Sequence, residues 1–442
     1  MARDLTQGSV FKNIILFSLP YLLSYFLQTL YGMADLFISG QFNGAEVISA
    51  VAVGSQVMHM LTVMIVGLAM GATVTISRAV GAKDKAQAQS AVGNTAVLFL
   101  AVSAALTAIL LLLCPLIVSA MSTPAESVEY TKQYLTICFI GIPFITAYNI
   151  TASVFRGMGD SKTSMFFIAI CCFLNIALDY LFIGFFDMKA GGAALATVLS
   201  QAASVIISIF AIKRTKLVSL RRADFKIQKS VMGGILRIGV PVACQDGFIQ
   251  ISFLLITVIA NSRGVEISAA VGIVEKIISF LFLVPSSMLS AISAVAAQNL
   301  GANEPKRAKE TLFIGTAIAM SFGAVFAFIM QFASGAAVSL FTDDQEVVKF
   351  GAQYLKSYVF DCLFAGFQFS FSGYFCALGK SIISFIHNVI AIVLVRVPGA
   401  YLASKLWPDT LYPMGWAPAL GSLLSSVICL VFFIALEKKG KS

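Results

Sequence analysis

The sequence predicts an all-α polytopic membrane protein with twelve transmembrane helices in two six-helix lobes, related by a parallel internal repeat. Three observations lead to this fold class. Of the 442 residues, 59% are hydrophobic and only 12% are charged, which leaves too little polar surface for a water-soluble protein of this size. The apolar residues fall in runs long enough to cross a bilayer. Residues of the first half recur in the second half at a constant spacing.

Helices suit all of the apolar runs, because backbone polar groups must find partners inside the segment when hydrocarbon surrounds it. A membrane β-barrel would instead show short segments of alternating polarity, and these are absent from the sequence. The twelve runs lie near residues 14–38, 47–72, 91–113, 130–152, 164–184, 191–212, 234–260, 267–297, 311–332, 350–375, 382–404 and 418–436.

Basic residues indicate the orientation of these runs. Most of the 30 Lys and Arg residues lie in segments that share one side of the membrane, which is typical of the cytoplasmic side. We therefore expect a multi-pass protein of the inner or plasma membrane with both termini in the cytoplasm. The net charge of +9 indicates topology and attraction to anionic membrane lipids, and no nucleic-acid partner is expected. The first run is too long for a signal peptide and reads as an uncleaved span.

The repeat has an offset of 220 residues. Six runs in each half return the chain to its starting side, so the halves are parallel repeats, an arrangement typical of secondary transporters with alternating access. The predicted boundaries are an N-lobe at 1–212, a basic cytoplasmic linker at 213–232 and a C-lobe at 233–442. The recurring segments include Gly44 and Glu46 with Gly264 and Glu266, Gly81-Ala82 with Gly301-Ala302, Gln133-Tyr134-Leu135 with Gln353-Tyr354-Leu355, Phe155 and Gly159 with Phe375 and Gly379, and, one residue out of register, Pro20 with Pro241.

Polar side chains interrupt the apolar runs of the first half. Asp35 lies in the first run, and Asn175 and Asp179 lie four residues apart in the fifth, hence on one helix face. A carboxylate at the bilayer centre costs about 2.5–3.5 kcal/mol or more, so Asp35 and Asp179 are candidates for an ion site. Two carboxylates in a poorly solvated space cannot both stay ionised cheaply, which favours uptake of a proton or of a hard cation such as Na⁺. The alternatives are that Asp179 reaches the headgroups and that Asn149 and Thr197 only form helix–helix hydrogen bonds.

The second half carries different polar residues. Gln245 and Asp246 lie in the seventh run and Glu275 in the eighth. For Asp361 and Arg396, in the outer halves of adjacent antiparallel helices, we expect a structural ion pair. Asp246 and Glu275 remain candidates for binding a cationic substrate. Asp35 and Asp179 have no acidic counterparts 220 residues later, so the predicted ion site is asymmetric.

Aromatic side chains could contribute to a substrate cleft through cation–π contacts. Tyr31 and Tyr148 are the candidates, together with Gln245, Asp246 and Glu275. The alternative is that these aromatic rings face lipid or pack in the core.

Cysteine and histidine do not indicate a transition-metal site. All eight cysteines lie in apolar runs without metal-ligand spacing, which is typical of reduced, buried thiols. His59 and His387 are isolated and do not predict zinc. We expect no cofactor, and no metal other than Na⁺ at Asp35, Asp179 and Asn175.

Several short motifs are specific in combination. They are Pro20 followed by Met33-Ala34-Asp35 and Gly40, Gly81-Ala82-Lys83-Asp84 with its twin Gln298-Asn299-Leu300-Gly301-Ala302, Phe155-Arg156-Gly157-Met158-Gly159-Asp160, and Asn175-Ile176-Ala177-Leu178-Asp179. With them the chain resembles the multidrug and toxic compound extrusion (MATE) family over nearly its whole length. The resemblance implies two lobes arranged in a V and cation-coupled antiport of organic cations and other drugs.

The resemblance also implies an ion-coupling site. In the DinF-type branch of the family, the positions implicated in H⁺ or Na⁺ coupling match Asp35, Asn175 and Asp179 and, by spacing, Asn149 and Thr197. The first-span proline of that branch, for which a bend has been proposed, matches Pro20.

The NorM-type branch uses C-lobe carboxylates instead. The corresponding positions here are Ala365 and either Ile249 or Gln250. This departure favours the N-lobe site and the DinF-type branch.

We therefore predict a monomeric antiporter that exports small cationic or amphipathic compounds in exchange for H⁺ or Na⁺, and not an enzyme. A flippase for a lipid-linked precursor is the alternative, but it would require a more cationic cavity and additional spans. An intramembrane enzyme would require a nucleophile–base or metal constellation, for which two isolated histidines give little support.

Overall fold

The computed structural model describes residues 4–215 and 220–439, and it confirms the all-α fold. Within these residues the chain consists of helices, short turns and connecting segments, with no β-strand.

The α-helices of the first half are long, except where a break divides α4 from α5. They are α1 (Val10–Phe42), α2 (Ala45–Gly81), α3 (Lys85–Ala120), α4 (Val128–Ile140), α5 (Ile142–Gly157), α6 (Ser161–Asp179) and α7 (Lys189–Thr215). The α-helices of the second half are α8 (Lys229–Asn261), α9 (Val265–Leu281), α10 (Leu283–Gly301), α11 (Pro305–Ser339), α12 (Gln345–Tyr358), α13 (Phe360–Ala377), α14 (Ile382–Ala391), α15 (Val397–Leu406) and α16 (Tyr412–Lys439).

Ten of the described helical segments are long and apolar enough to cross a membrane, or eleven if the bent pair formed by α4 and α5 counts as one span. The two helices of that pair meet at an angle of 53°. The remaining predicted span, 350–375, falls on α12 and α13. This stretch is not among the segments that meet the same criterion. The protein is a multi-pass membrane protein.

Contacts divide the chain into two compact units. Unit 1 is formed by Leu19–Gly239 with the chain before Thr6, and unit 2 by Thr6–Ser18 with the chain from Val240 onwards. The chain passes between the units just before Pro20 in α1 and just before Pro241 in α8. A proline inside a helix removes one backbone hydrogen bond. Each passage therefore occurs where the helix is most easily bent.

Helices extend into the predicted linker from both ends. α7 continues to Thr215 and α8 begins at Lys229, with a short 3₁₀ turn at Arg222–Phe225 between them. Residues 216–219 of the predicted linker 213–232 lie outside the described residues.

The recurring sequence motifs form matching turns in the two halves. Lys83 after α2 and Asn303 after α10 both have positive φ, 57° and 59°. Gly159 and Gly379 also lie in the left-handed region, with φ of 82° and 73°. Because that region favours glycine, both turns carry glycine at this position of the motif.

One buried cluster in unit 1 positions the candidate site. It joins apolar side chains of α1, α2 and α4, among them Ile38, Val47 and Leu135. Tyr134 belongs to this cluster and lies against Gly54, where any Cβ atom would collide with the tyrosine ring. The close packing of α2 and α4 thus supports the C-terminal part of α1, which carries Asp35.

Candidate functional site

Asp35, Asn175 and Asp179 converge inside unit 1. Asp35 lies on α1 and is 3% exposed, while Asp179 is the last residue of α6 and is fully buried. Asn175 lies one turn before Asp179 on the same face of α6 and is also buried. The headgroup alternative for Asp179 does not fit a carboxyl group without exposed surface.

The polar side chains of Asp35, Asn175 and Asp179 form few hydrogen bonds. The Thr197 hydroxyl on α7 donates to Asp35 Oδ2 at 3.5 Å. Asp179 and Asn175 are close enough to interact with the Asp35 carboxylate. Even so, Asp35 Oδ1, both Asp179 oxygens and both amide atoms of Asn175 have no aligned hydrogen-bond partner in the described structure. Buried polar groups of this kind are normally paired, so the site has spare capacity for a ligand.

The surroundings supply no compensating positive charge. Tyr31, Tyr134 and Cys138 lie within electrostatic range of Asp35. The Tyr134 hydroxyl is 3.2 Å from that of Ser55. In the described part of the chain, neither carboxylate of the pair forms an ion pair with a lysine or arginine. Carboxylate, amide and hydroxyl oxygens without a resident cation are suited to a proton or to a hard cation.

A π-helical segment follows the site directly. It covers Tyr180–Phe185 and begins where α6 ends at Asp179. Such segments often occur at functional sites, since they widen the helix and shift the direction of the side chains that follow. No pattern in the sequence predicted this segment.

Asn149 has a different environment. Its amide nitrogen donates to the carbonyl oxygen of Ile145 at 2.8 Å, and its side chain lines a small cavity together with Gln28 and Arg156. Its role in ion coupling stays a prediction. Pro20 lies one residue before Tyr21, which also lines this cavity, and the Ser24 hydroxyl donates to the Pro20 carbonyl oxygen at 2.8 Å.

In unit 2, the predicted direct ion pair between Asp361 and Arg396 is wrong. Arg396 Nη2 donates to the Tyr358 hydroxyl at 3.0 Å, and its guanidinium lies 4.7 Å from the centre of the Phe253 ring. Both oxygens of the fully buried Asp361 lack a hydrogen-bond partner among the described residues. The tyrosine and the aromatic ring hold the guanidinium away from the carboxylate, so the two charges interact only through space.

Glu275 belongs to the same group of charges. Its Oε2 accepts a hydrogen bond of 3.3 Å from Thr257, and it lies within electrostatic range of Arg396. Unit 2 therefore already contains a buried cation beside its acidic residues, whereas no lysine or arginine among the described residues pairs with Asp35 or Asp179.

The other predicted substrate residues have mixed environments. Tyr148 and Gln245 are buried, while Tyr31 and Asp246 are partly exposed. Tyr31 lies beside Asp35, and Asp246 lies within electrostatic range of Cys376. A common substrate cleft for these residues stays a prediction.

Sequence reasoning missed Asn94, which holds the linker. This fully buried residue of α3 donates to the carbonyl oxygens of Asp224 and Lys226 at 3.4 and 3.2 Å. Its Oδ1 accepts from the Gln228 backbone N–H at 2.7 Å. The signal in the sequence is one amide in a stretch of small residues, which also fits a helix–helix contact.

The fold closely resembles that of a solved transporter. The crystal structure of MATE in complex with MaL6 superposes with a TM-score of 0.92, at 21% sequence identity, covering 99% of each chain. The probable multidrug resistance protein YpnP of Bacillus subtilis is 31% identical over 91% of this chain and 90% of its own length. The multidrug export protein MepA of Staphylococcus aureus is 27% identical, with the same coverage of both chains.

A family model matches the chain twice, over residues 20–181 and 241–402. The two matched stretches begin at Pro20 and Pro241, and they confirm the internal repeat. They account for most of the sequence, so the chain belongs to the MatE family. It is a membrane transporter and not an enzyme.

Proposed function

We propose that the protein is a secondary active antiporter that exports organic cations, drugs or toxic metabolites in exchange for H⁺ or Na⁺. The names of the relatives YpnP and MepA, which refer to multidrug resistance and export, support this class of substrate. The protein acts as a monomer in the cell membrane with both termini in the cytoplasm, and it needs no cofactor.

One observation carries the proposal. Asp35 and Asp179 are adjacent buried carboxylates whose oxygens largely lack hydrogen-bond partners within the described residues. Desolvation and mutual repulsion both disfavour two negative charges in such a place. A proton removes one charge, and Na⁺ balances one charge while accepting oxygen ligands from Asn175 and Thr197.

Ion uptake at this pair drives the transport cycle. An ion from outside enters the pair, the two repeats change their access to the membrane sides, and the ion leaves towards the cytoplasm. Coupling requires that ion and substrate prefer different states, or that they compete for the same carboxylates. Tyr31, which lies beside Asp35, is the residue through which substrate binding responds to the ion. Tyr148, Gln245, Asp246 and Glu275 contribute further contacts to the substrate.

Pro20 provides the bend in α1. The chain passes from unit 2 to unit 1 just before this residue. The bend therefore lies between the N-terminal part of the helix and the part that carries Asp35.

Efflux measurements in proteoliposomes test this function. Purified protein is reconstituted and loaded with a panel of cationic dyes, and an inward gradient of H⁺ or of Na⁺ is imposed separately. We expect one of these gradients to drive export by the wild type and neither to drive export by Asp35→Asn. The matched control is Asp344→Asn, since Asp344 caps α12 at the surface and asparagine keeps this cap. Wild-type export by Asp35→Asn would contradict the proposal.

A further inference from the structure

A buried arginine in unit 1 lacks an anionic partner. Arg156 lies in the last turn of α5 and is 8% exposed. In the described structure its side chain forms neither an ion pair nor a hydrogen bond, and the guanidinium carbon lies 5.0 Å from the centre of the Tyr21 ring. An arginine stays protonated in proteins, so its positive charge remains in the interior.

The guanidinium lines a small cavity in unit 1. Tyr21, Ser24, Tyr25 and Gln28 of α1 form one wall of this cavity, and Asn149 and Arg156 of α5 form another. No carboxylate lines it. The space is large enough for one particle of about the size of a water molecule.

The side chains that line this cavity carry more hydrogen-bond donors than acceptors. Arg156 offers up to five N–H groups, and the amide nitrogens of Gln28 and Asn149 each carry two hydrogens. One hydrogen of Asn149 is used in the bond to Ile145. The hydroxyl protons of Tyr21 and Ser24 are directed to Tyr25 and to the Pro20 carbonyl oxygen.

The fold itself does not require an arginine here. At the repeat offset of 220 residues, Arg156 corresponds to Cys376, which is also buried. The equivalent turn therefore forms in unit 2 with a small uncharged residue. This comparison favours a ligand for Arg156 over a purely structural role.

We propose that this cavity binds one small inorganic anion, which is chloride under cellular conditions. The anion takes the place of the missing carboxylate and accepts hydrogen bonds from Arg156, Gln28 and Asn149. Because buried charges are normally paired, the bound anion stabilises the folded protein.

The anion site also lies on the helix that carries the coupling residue. Gln28 and Asp35 are seven residues apart on α1, close to two helical turns and about 10 Å, and thus lie on the same face. An anion near Gln28 and a cation at Asp35 would attract each other through the interior. The anion is therefore expected to increase the affinity of the coupling cation as well.

Thermal unfolding of the purified full-length protein tests the proposal. Chloride replaces gluconate stepwise at constant ionic strength and constant Na⁺. We expect the melting temperature of the wild type to rise by about 1–2 °C for each tenfold increase in chloride above the dissociation constant. Bromide should act like chloride.

Variants separate this site from general salt effects. Arg156→Gln should lose the response to chloride, and Gln28→Leu should weaken chloride binding several-fold while the charge remains. The matched control is Arg307→Gln, because Arg307 bonds to Asn299 and to the Gly8 carbonyl oxygen and lies outside the cavity. This variant should keep the full chloride response even if its stability falls.

Crystals of the wild type soaked in bromide provide a readout that does not depend on a stable variant. An anomalous peak within hydrogen-bonding distance of the Arg156 guanidinium is expected. Equal melting temperatures in chloride and gluconate, an unchanged response in Arg156→Gln, or only a water molecule in the cavity would each overturn the proposal.

Discussion

Replacing Asp35 with asparagine should stabilise the protein while it abolishes transport. Two unit charges held about 4 Å apart repel each other by roughly 4 kcal/mol at an effective dielectric constant of 20. Asp35→Asn removes this repulsion between the buried carboxylates. The new amide also offers N–H donors to the Asp179 oxygens, which have no hydrogen-bond partner in the described structure. We expect a gain of about 1–4 kcal/mol in the free energy of unfolding at alkaline pH, where the pair holds neither a proton nor another cation.

The effect depends on pH and on Na⁺ in a defined direction. The repulsion exists only while both carboxylates are ionised, so the difference between variant and wild type should be absent while the pair holds a proton and should grow as the pH rises. If Na⁺ is the coupling ion, saturating Na⁺ should stabilise the wild type by RT ln(1 + [Na⁺]/Kd) and leave the variant unchanged.

Thermal or chemical unfolding in detergent provides the measurement. Wild type and Asp35→Asn are compared at acidic, neutral and alkaline pH, with Na⁺ or with a large organic cation at equal ionic strength. Asp344→Asn, at the surface, serves as the control for a change from carboxylate to amide. If Asp35→Asn is not more stable than the wild type at alkaline pH without Na⁺, the carboxylates do not destabilise each other and the reasoning fails.

Three further variants test other parts of the structure. Pro20→Ala restores a backbone donor in α1 and should slow transport without unfolding the protein, whereas Pro115→Ala in α3 should not, as efflux rates and circular dichroism will reveal. Asn94→Ala removes three hydrogen bonds to the linker and should lower the free energy of unfolding by about 1–3 kcal/mol. Limited proteolysis near residues 220–228 should therefore be faster in the variant. Unchanged cleavage would contradict the conclusion that Asn94 holds the linker. Gly71→Ala directs a Cβ atom at the Ile235 carbonyl oxygen and should lower stability by about 1–3 kcal/mol in unfolding experiments, while Gly335→Ala, with open space around it, should not.

Much of the fold follows from the sequence because hydrocarbon permits few alternatives. Long apolar runs must be helical, and the shared offset of Gly159 and Gly379 marks turns that need a positive φ. Breaks inside spans are harder to anticipate. The bend between α4 and α5 and the π-helical segments after Asp179 and before Val397 depend on how neighbouring helices satisfy the backbone.

The candidate site is predictable where residues share a helix face and less so where side chains meet across helices. Asn175 and Asp179 must lie together because four residues make about one turn of a helix. Their approach to Asp35 was implied by the family resemblance. The separation of Asp361 from Arg396 was missed, because Tyr358 and Phe253 compete for the guanidinium and nothing in the spacing reveals this competition. The motif around Arg156 gives no sign that this side chain is buried.

The coupling ion can be followed directly as it moves. In proteoliposomes without an imposed gradient, substrate is added to one side and the flux of H⁺ is recorded with a trapped pH dye, or that of Na⁺ with radioactive sodium. The wild type should move one of these ions in the direction opposite to the substrate. Asp179→Asn should still bind substrate but move neither ion. Substrate-driven ion flux through Asp179→Asn at the wild-type rate would contradict the assignment of the Asp35–Asp179 pair as the coupling site.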